Sequence, residues 1–475
     1  MSTKIVLDPL TRMSGFLEIE IAVDKNKVID AKSHGLLFRG FEKMLEGRSP
    51  LDATYFTERI CGICSTAHAI ASTTALENAL NITPNPNSKI IRDLIHSAEF
   101  IQNHIRHFYL FSLPDFFEVP NLTAPKPKET SDYRIPDKFR DRLSENYIKS
   151  IEFSRLAHEF LALFGGKAPH NHGIFIGGAT ANFDSSKLIT AKAILTSIKD
   201  FVINSMLEDA NILSEYYSDY FLNGIGHKNV MSYGLYDYKD ITYVNPAVSL
   251  DGHIFQLNPS NITENIYYAW YDYSSKASFV NNNYENTTPL ENPAEDNLSK
   301  TSGYTWIKAP RYKGYPVEVG PLARMILSGI YTNGISTMDR IIARALETKK
   351  IIECMELLLD KATPQESGQG RYEIPKESKG KGLIDTTRGA LGHWIKIKNK
   401  VIDSYDVITP SAWNLSPKDS RGVRGVMEEA LIGTHIENQQ NPVEIGRIIR
   451  SFDPCISCAT HVVDSNHKPI VSWVI

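Results

Sequence analysis

The sequence predicts an α+β protein of several domains, in which a predominantly helical central bundle lies between β-containing N- and C-terminal regions. Three observations predict this class: alternating apolar and charged residues near the N-terminus, long stretches of helical apolar spacing in the middle, and strand-like composition in the last third. The 475 residues, of which 42% are hydrophobic, suffice for two or three domains with a large core.

The N-terminal region, residues 1–60, is predicted to contain a β-hairpin. The stretch "FLEIEIAV" (16–23) alternates apolar and acidic residues, "DKNK" supplies a polar turn, and "VIDAKSHG" (28–35) forms the return strand. This alternation places Glu18 and Glu20 on the solvent-facing side of the hairpin.

The middle of the chain, residues 61–362, is predicted to be a mainly helical core. Its first helix, "STAHAIASTTALENAL" (65–80), follows a cysteine pair, which places those cysteines at a helix N-terminus that stabilises thiolates. An Asn-rich, Pro-bearing stretch near 281–297 is predicted to be a surface loop. Helical apolar spacing recurs at 88–111, 150–164, 187–220 and 335–362.

The C-terminal region, residues 363–461, is predicted to be α+β and to close a metal site. A second predicted loop, 363–382, precedes its strand-like part. The last stretch, "VVDSNHKPIVSWVI" (462–475), follows the final cysteine motif and forms a separate segment.

Charge and hydropathy exclude several kinds of partner. The 51 Lys and Arg residues nearly balance the 55 Asp and Glu residues, so no nucleic-acid partner is expected. The N-terminus lacks the apolar segment of a signal peptide, and no run of about 18 apolar residues predicts direct membrane insertion. The chain is therefore expected to become membrane-associated or exported only with a partner, and a cytoplasmic location is the alternative.

The five cysteines point to metal binding rather than to disulfides. Four form two C-x-x-C pairs, Cys61 with Cys64 and Cys455 with Cys458, and an odd total argues against a disulfide framework. Cys354 lies in a stretch of helical apolar spacing and is predicted to be a buried small hydrophobe.

Two thiolate pairs favour a soft metal such as Zn, Cu(I), Ni or Fe. The pairs are 455 − 64 = 391 residues apart, far more than in a zinc ribbon. Spacing alone leaves both a structural zinc site and a redox or catalytic metal open. The flanking polar residues favour the second interpretation, because a tetrathiolate zinc site needs no such groups: Arg59, His68, Asp453 and His461.

The two cysteine motifs resemble the paired signatures of the [NiFe] hydrogenase large subunit, and the similarity extends over nearly the whole chain. It is strongest to the respiratory uptake group and implies a catalytic subunit that cleaves H2 reversibly and heterolytically into protons and electrons. The stretches that carry it are "RICGICSTAH" (59–68), "DPCISCATH" (453–461), "GLLFRGFE" (35–42), "GGKAPH" (165–170), "KAPRYKGYPVEVGPLAR" (308–324), "RGALGHW" (388–394) and "PSAWN" (410–414).

The resemblance implies the following metal ligands. Cys61 and Cys455 are expected to bind nickel terminally, and Cys64 and Cys458 to bridge nickel to an iron that carries carbon monoxide and cyanide. A second, hard ion, Mg²⁺ or another divalent cation, is expected near the C-terminus, held by three groups: the carboxylate of Glu42, the backbone carbonyl of Val407 and the imidazole of His461.

Three further residues receive roles from the same resemblance. Arg388 is expected to lie over the open side of the metals, Ser411 to donate to a cyanide, and Asp453 to orient the arginine. The Cys455 thiolate is favoured over Arg388 as the proton acceptor, because arginine has a pKa above about 12. Four histidines are predicted to be packed or hydrogen-bonded rather than ligands: His68, His104, His107 and His393.

Three positions depart from the family pattern. Ser14 stands where most members have a proton-carrying glutamate, so protons are expected to leave through Ser14 and water or through another carboxylate. Asn103 replaces an aspartate that anchors the arginine in some members, and Thr387 replaces a proline that commonly precedes it. Both substitutions put the setting of Arg388 in question.

The resemblance also implies partners. With the four paired cysteines used, electrons need a small subunit that carries iron–sulfur clusters. A maturation endopeptidase is expected to remove 462–475 after nickel insertion and to leave His461 as the C-terminus, whereas "PIVSWVI" (469–475) alternatively forms a permanent strand. Two alternative functions are a hydrogen-sensing regulatory hydrogenase and a non-catalytic quinone-reductase-like coupling subunit. The C-terminal extension argues against the first, and the four cysteines argue against the second.

Overall fold

A computed structural model describes residues 2–119, 132–273, 294–363 and 372–459. The helices are α1 (Phe41–Leu45), α2 (Ala53–Thr57), α3 (Ser65–Leu80), α4 (Pro86–Arg106), α5 (Arg140–Gly165), α6 (Ser185–Phe201), α7 (Leu207–Tyr216), α8 (Pro321–Leu327), α9 (Thr337–Lys361), α10 (Pro410–Asn414), α11 (Val426–Leu431), α12 (Val443–Ser451) and α13 (Ile456–Ala459). The strands are β1 (Thr3–Leu7), β2 (Leu17–Asp24), β3 (Lys27–Gly35), β4 (Ile174–Phe175), β5 (Gly178–Ala179), β6 (Val230–Ser232), β7 (Ala247–Leu250), β8 (His253–Gln256), β9 (Ile262–Asn265), β10 (Tyr271–Tyr273), β11 (Ala294–Asp296), β12 (Ala309–Tyr312), β13 (Glu377–Thr386), β14 (Gly389–Lys398) and β15 (Val401–Ile408).

The N-terminal sheet is antiparallel and has the order β1-β2-β3. The predicted hairpin is confirmed as β2 and β3, which pair from Leu17 with Gly35 to Asp24 with Lys27. Burial alternates along β2, so Glu18 and Glu20 lie on the partly exposed face while their neighbours enter the core. The sheet and the C-terminal helices share one apolar core.

The long helices α4, α5, α6, α7 and α9 bury their apolar stripes in a second, larger core. The predicted helices at 88–111, 150–164, 187–220 and 335–362 are confirmed, although π-helical turns at His107–Ser112 and Val202–Met206 interrupt or end two of them. Cys354 lies in this core on α9, as predicted, and is 2% exposed. Burial raises the pKa of its thiol to about 11.

The C-terminal sheet is antiparallel and has the order β13-β14-β15. Helix α3 lies across β13 and β14, and the approach is very close at Gly382. A Cβ added there would lie 2.0 Å from the backbone oxygen of Ala71, so only glycine allows this packing. The sheet thereby holds the start of α3, and with it the first cysteine pair, against the C-terminal region.

Two predicted loops are wrong in part. Residues 377–382 of the predicted loop 363–382 are the start of β13, because their two glycines serve close packing against α3 instead of a turn. Residues 294–296 of the predicted loop 281–297 form β11, paired with β10. Residues 281–293 and 364–371 lie outside the described residues.

The described chain mixes helices and strands as the predicted α+β class requires. Within 61–362, strands β4–β12 stand between the helices, so this part is less purely helical than predicted. The division into domains at 60, 362 and 461 stays a prediction. Among the helices of the described ranges, none has the length and apolar content needed to cross a membrane.

Candidate metal centre

Cysteines from both ends of the chain meet in the interior. The Sγ atoms of Cys61, Cys64 and Cys455 lie within 4.8 Å of one another, and all three residues are buried. The Sγ atoms of Cys61 and Cys455 are 3.5 Å apart, well beyond the roughly 2.05 Å of a disulfide bond. The three sulfurs therefore lie close enough together to hold one metal ion.

The first cysteine pair lies at the start of α3, as predicted. Cys64 is the N-cap residue of this helix, and its backbone N–H donates to the Sγ of Cys61 at 3.3 Å. The free N–H groups and the positive end of the helix dipole stabilise thiolates at this position. Buried Glu99 on α4 accepts from the backbone N–H groups of Thr66 and Ala67 and so completes the helix start.

The second cysteine motif is held by the N-terminal segment. Ser14 pairs with Cys455 in a parallel bridge, in which the Ile456 N–H donates to the Ser14 carbonyl at 2.7 Å. The backbone N–H of Cys455 donates to the Ser411 hydroxyl oxygen at 3.0 Å. This bond leaves the Ser411 hydroxyl proton available to a second acceptor near Cys455.

Arg388 projects from the β13–β14 turn into the same interior. Its Nη2 donates to Asp453 Oδ1 at 3.0 Å and to Asn103 Oδ1 at 2.9 Å, and its Nε donates to the Asp453 carbonyl. The Asn103 amide donates back to Asp453 Oδ2 at 2.6 Å. Asn103 thus anchors the arginine despite lacking a carboxylate.

Negatively charged groups around Arg388 stabilise its positive charge. Burial alone would lower its pKa, but Asp453 and the thiols of Cys455, Cys64 and Cys61 hold that pKa well above the ordinary value. Although burial opposes ionisation, Arg388 and Arg344 keep the pKa of the Asp453 carboxyl well below its usual range. Arg388 therefore remains a cation beside the three sulfurs.

A buried ion network fixes the turn that carries Arg388. Arg324 on α8 makes a bidentate pair with Glu347 on α9, both bonds 2.7 Å long, and donates to Asp385 at 2.7 Å. It also donates to the carbonyl of Thr386, two residues before Arg388. His104 and Tyr243 also make hydrogen bonds with the Glu347 carboxylate.

A second polar cluster surrounds Glu42. Its Oε1 accepts the backbone N–H of Val407 at 3.0 Å, and its Oε2 lies 3.3 Å from the ammonium of Lys308, whose side chain is 11% exposed. Glu264 and Asp406 lie 3.4 and 3.9 Å from the same ammonium. Burial raises the pKa of Glu264 to about 7.

The four histidines that the sequence left outside the ligand set are packed and hydrogen-bonded, as predicted. His68 Nδ1 and His393 Nε2 are 3.1 Å apart, and His107 Nε2 lies 2.7 Å from the carbonyl of Arg450. Burial lowers the pKa of His68 to about 4 and that of His107 to about 3, so both rings are neutral. His104 lies 2.9 Å from Glu347.

The structure therefore brings together most of the predicted site residues: Cys61, Cys64, Cys455, Arg388, Ser411 and Asp453 around the thiols, and Glu42 with Val407 in the carboxylate cluster. His461 and the side chain of Cys458 lie outside the described residues.

The sequence interpretation missed Lys308, Glu264, Asp406 and Glu99. No local pattern joins the first three, since they come from strands or segments far apart in the chain. Glu99 and Asn103 are one helical turn apart on α4, and that spacing could have indicated a shared face toward the site.

The donor set suits two different metals. Three buried thiols at one point, two at the start of a helix and one beside a hydroxyl, match a soft transition metal. The cluster around Glu42 sets three carboxylates against one ammonium, a surplus of anionic oxygen that suits a hard divalent cation.

Comparison with known proteins gives consistent matches. The family model for nickel-dependent hydrogenase matches residues 39–142, 131–335 and 330–461. The chain is 35% identical to the periplasmic [NiFeSe] hydrogenase large subunit of Desulfomicrobium baculatum, over 97% of this chain and 95% of that protein. It is 30% identical to the uptake hydrogenase large subunit of Bradyrhizobium diazoefficiens, over 98% of this chain and 96% of that protein.

Solved structures agree with these matches. The Desulfomicrobium baculatum [NiFeSe] hydrogenase superposes with a TM-score of 0.91 at 35% identity, covering 97% of this chain and 100% of that one. The Ni-Fe-Se hydrogenase of Desulfovibrio vulgaris Hildenborough gives 0.90 at 35% identity, with the same coverage.

Proposed function

The chain belongs to the nickel-dependent hydrogenase family as a large subunit, and we propose that it is the catalytic subunit of a [NiFe] hydrogenase. The reaction is the reversible, heterolytic cleavage of H2, which yields two protons and two electrons. The observation that carries this proposal is the meeting of Cys61, Cys64 and Cys455 in the buried interior beside Arg388. A coupling subunit without a metal would have no use for these thiols.

The proposed centre uses four sulfurs. Cys61 and Cys455 would hold the nickel, and Cys64 with Cys458 would hold both the nickel and an iron that would carry carbon monoxide and cyanide. When bound, this centre supplies the Lewis acidity and the redox capacity that H2 cleavage needs. Four thiolate ligands suit this centre because sulfur delocalises the change in charge when nickel changes its oxidation state.

The protein's own groups handle the proton and the charge. The Cys455 sulfur would accept the proton from H2, because the neighbouring Arg388 stays protonated and has no free site for another proton. Asn103 and Asp453 fix the guanidinium in place, and its charge favours the anionic sulfurs. Ser411, whose oxygen accepts the Cys455 N–H, would donate its hydroxyl proton to a cyanide.

A hard divalent cation, Mg²⁺ by preference, is proposed beside Glu42, with the carbonyl of Val407 and the imidazole of His461 as further ligands. The acidic cluster around Lys308 supports a cation there, since three carboxylates exceed its single positive charge. Removal of 462–475 by an endopeptidase would free His461 for this role. An intact mass of the mature chain that still includes Val462 to Ile475 would contradict the removal.

Electrons must leave through a partner. A small subunit with iron–sulfur clusters is the proposed acceptor, because no further cysteine pair remains in this chain. The same partner would carry the chain to a membrane or out of the cytoplasm, as the periplasmic relative suggests.

Protons are proposed to leave by way of Ser14 and water, or through another carboxylate. The backbone pairing of Ser14 with Cys455 supports this route, because it brings the two residues next to each other. A hydroxyl relays a proton but does not store one. Unchanged hydrogen–deuterium exchange in S14A would exclude the serine route.

Paired cysteine variants test the proposed function. We expect C61A, in the complex from its own host, to hold less than about a tenth of the wild-type nickel and to lose hydrogen oxidation, because a terminal ligand is gone. C354A is the matched control, since it also removes a buried thiol and should keep both nickel and activity. Equal activity in C61A and wild type would reject the proposal.

A further inference from the structure

An exposed arginine joins the two cysteine motifs across the surface of the site. Arg39 lies in the segment between β3 and α1. Its guanidinium donates to the carbonyl of Arg59 at 3.0 Å, to the carbonyl of Ile60, and to the carbonyl of Ser457 at 2.6 Å. The first two acceptors directly precede Cys61, and the third lies between Cys455 and Cys458.

The guanidinium makes these bonds through two nitrogens: Nη1 donates to the Arg59 carbonyl, and Nη2 donates to the carbonyls of both Ile60 and Ser457. Because a guanidinium holds its N–H donors in one rigid plane, the three bonds together fix its orientation. A lysine ammonium has a single nitrogen and would lose the separate bond that Nη1 makes. The Arg39 guanidinium also lies 4.8 Å from the centre of the Phe41 ring, a cation–π contact that further restricts its orientation.

The opposite side of the C-terminal motif is held differently. There the backbone of Ser14 pairs with residues 454–456 through hydrogen bonds to the Pro454 carbonyl and from the Ile456 N–H. Arg39 therefore supplies the link from the C-terminal motif to the first cysteine loop, while the N-terminal segment supplies the link on the other side.

We propose that Arg39 is a positioning residue that acts as a latch: it closes the C-terminal cysteine motif onto the first one and so keeps the metal centre shut. This inference rests on the proposed function, because it assigns the closure to a Ni-Fe centre. The latch engages only when residues 453–459 take their final position, since one of its three acceptors lies in that stretch. Arg39 touches none of the reacting atoms.

The test compares R39A, R39K and R48A in the complex with the partner subunit. Arg48 is the matched control: it is also exposed, donates to a backbone carbonyl at 2.7 Å and lies 4.4 Å from the Phe56 ring, but it bridges no cysteine motif. Three quantities are measured: amide hydrogen exchange at Cys455 and Ile456, nickel per chain, and the stretching bands of iron-bound carbon monoxide and cyanide.

The latch predicts amide exchange about tenfold or more faster in R39A, with nickel per chain less than half that of wild type. R39K should fall between R39A and wild type, and R48A should match wild type. In R39K the stretching bands of iron-bound carbon monoxide and cyanide should also shift, because the cation moves relative to the sulfurs.

The proposal that Arg39 acts as a latch would be overturned if R39A had the amide exchange rates and the nickel content of the wild type. If R39A does not accumulate, R39K decides by the same measurements, and wild-type values there would equally overturn it. A wild-type complex without nickel would contradict the proposed function instead. The exchange comparison needs no metal and would still decide whether Arg39 closes the motif.

Discussion

Asn103 links two oppositely charged groups through one side-chain amide. Its oxygen accepts from Arg388 and its nitrogen donates to Asp453, so it satisfies both partners in the buried interior. A carboxylate, which can only accept when ionised, would serve the arginine but not the aspartate. The departure from the family pattern at this position therefore replaces a carboxylate with a side chain that both accepts from Arg388 and donates to Asp453.

N103L tests this anchor. Leucine has a similar volume but no polar atom, so Arg388 loses an acceptor and Asp453 a donor, at a cost of about 1.5–3 kcal/mol for bonds to charged groups. We expect hydrogen oxidation to fall by about tenfold or more, as a misplaced group near the reacting atoms does, while nickel content stays near wild type.

The control for N103L is N87L, on the same helix α4 but bonded to the carbonyl of Thr363 instead of to the site. It should lose stability without losing turnover. Equal turnover in N103L and N87L would show that Asn103 does not position Arg388.

Some residues of the site could be predicted from the sequence, and others could not. The cysteines, Arg388 and Asp453 could be predicted because their motifs are short and specific. Lys308, Glu264 and Asp406 could not, since each is an ordinary charged residue until the fold gathers them around Glu42. Arg39 lay within a quoted motif, but nothing in the sequence indicates that it reaches Ser457.

At the scale of elements, the contact between the N-terminal segment and the C-terminal motif depends on Gly15. Its φ of +88° is strained for other residues, and an added Cβ would lie 2.7 Å from the backbone nitrogen of Ser457. Gly47 has a similar φ of +75° but no neighbour within 4 Å.

G15A should therefore displace the C-terminal motif, whereas G47A adds only local strain of about 1 kcal/mol. We predict that G15A lowers nickel per chain to well under half of the wild-type value and that G47A leaves it unchanged. Both are measured by elemental analysis of the purified complex. Full nickel in G15A would mean that this contact does not support the site.

The network around Glu347 joins α4, α8, α9 and β13. Burial alone would raise the pKa of Glu347, but the bidentate pair with Arg324 lowers it to about 2. Because the folded-state pKa lies below the unfolded value of 4.5, the stabilisation is complete above about pH 4.5. It is lost as the pH falls from there toward 2, and amounts to the order of 3 kcal/mol.

E347Q should lower stability at pH 7 by about 3–5 kcal/mol, because Arg324 and His104 lose a buried anion. The difference in thermal midpoint between wild type and E347Q should shrink as the pH falls below about 4.5. A difference that is constant with pH would contradict the assignment of the shifted pKa to this carboxyl.

The elements themselves were largely predictable. Helices with strong apolar spacing and the N-terminal hairpin follow from local patterns, and the structure confirms them. The start of β13 could not be predicted from the sequence, because its glycines locally indicate a loop. Their role is visible only in the fold, where they allow the close approach of α3. The short strands β4–β12 carry too few residues for a periodic signal.

On the scale of the whole molecule, the site is made from the two ends of the chain. Cys61 and Cys455 are 394 residues apart in sequence, and their sulfurs meet only when the C-terminal motif docks beside α3. The paired motifs predicted this meeting, but the surfaces that enforce it, at Gly15, Gly382 and Arg39, required the fold.

Elemental analysis of the complex purified from its own host is the sharpest test of whether this chain holds a nickel–iron centre. We predict nickel and iron near one each per chain, beyond the iron of the partner's clusters, with a large subunit that ends at His461. Zinc in place of nickel, or a trimmed chain without nickel, would contradict the catalytic interpretation and indicate a scaffold held by a structural metal.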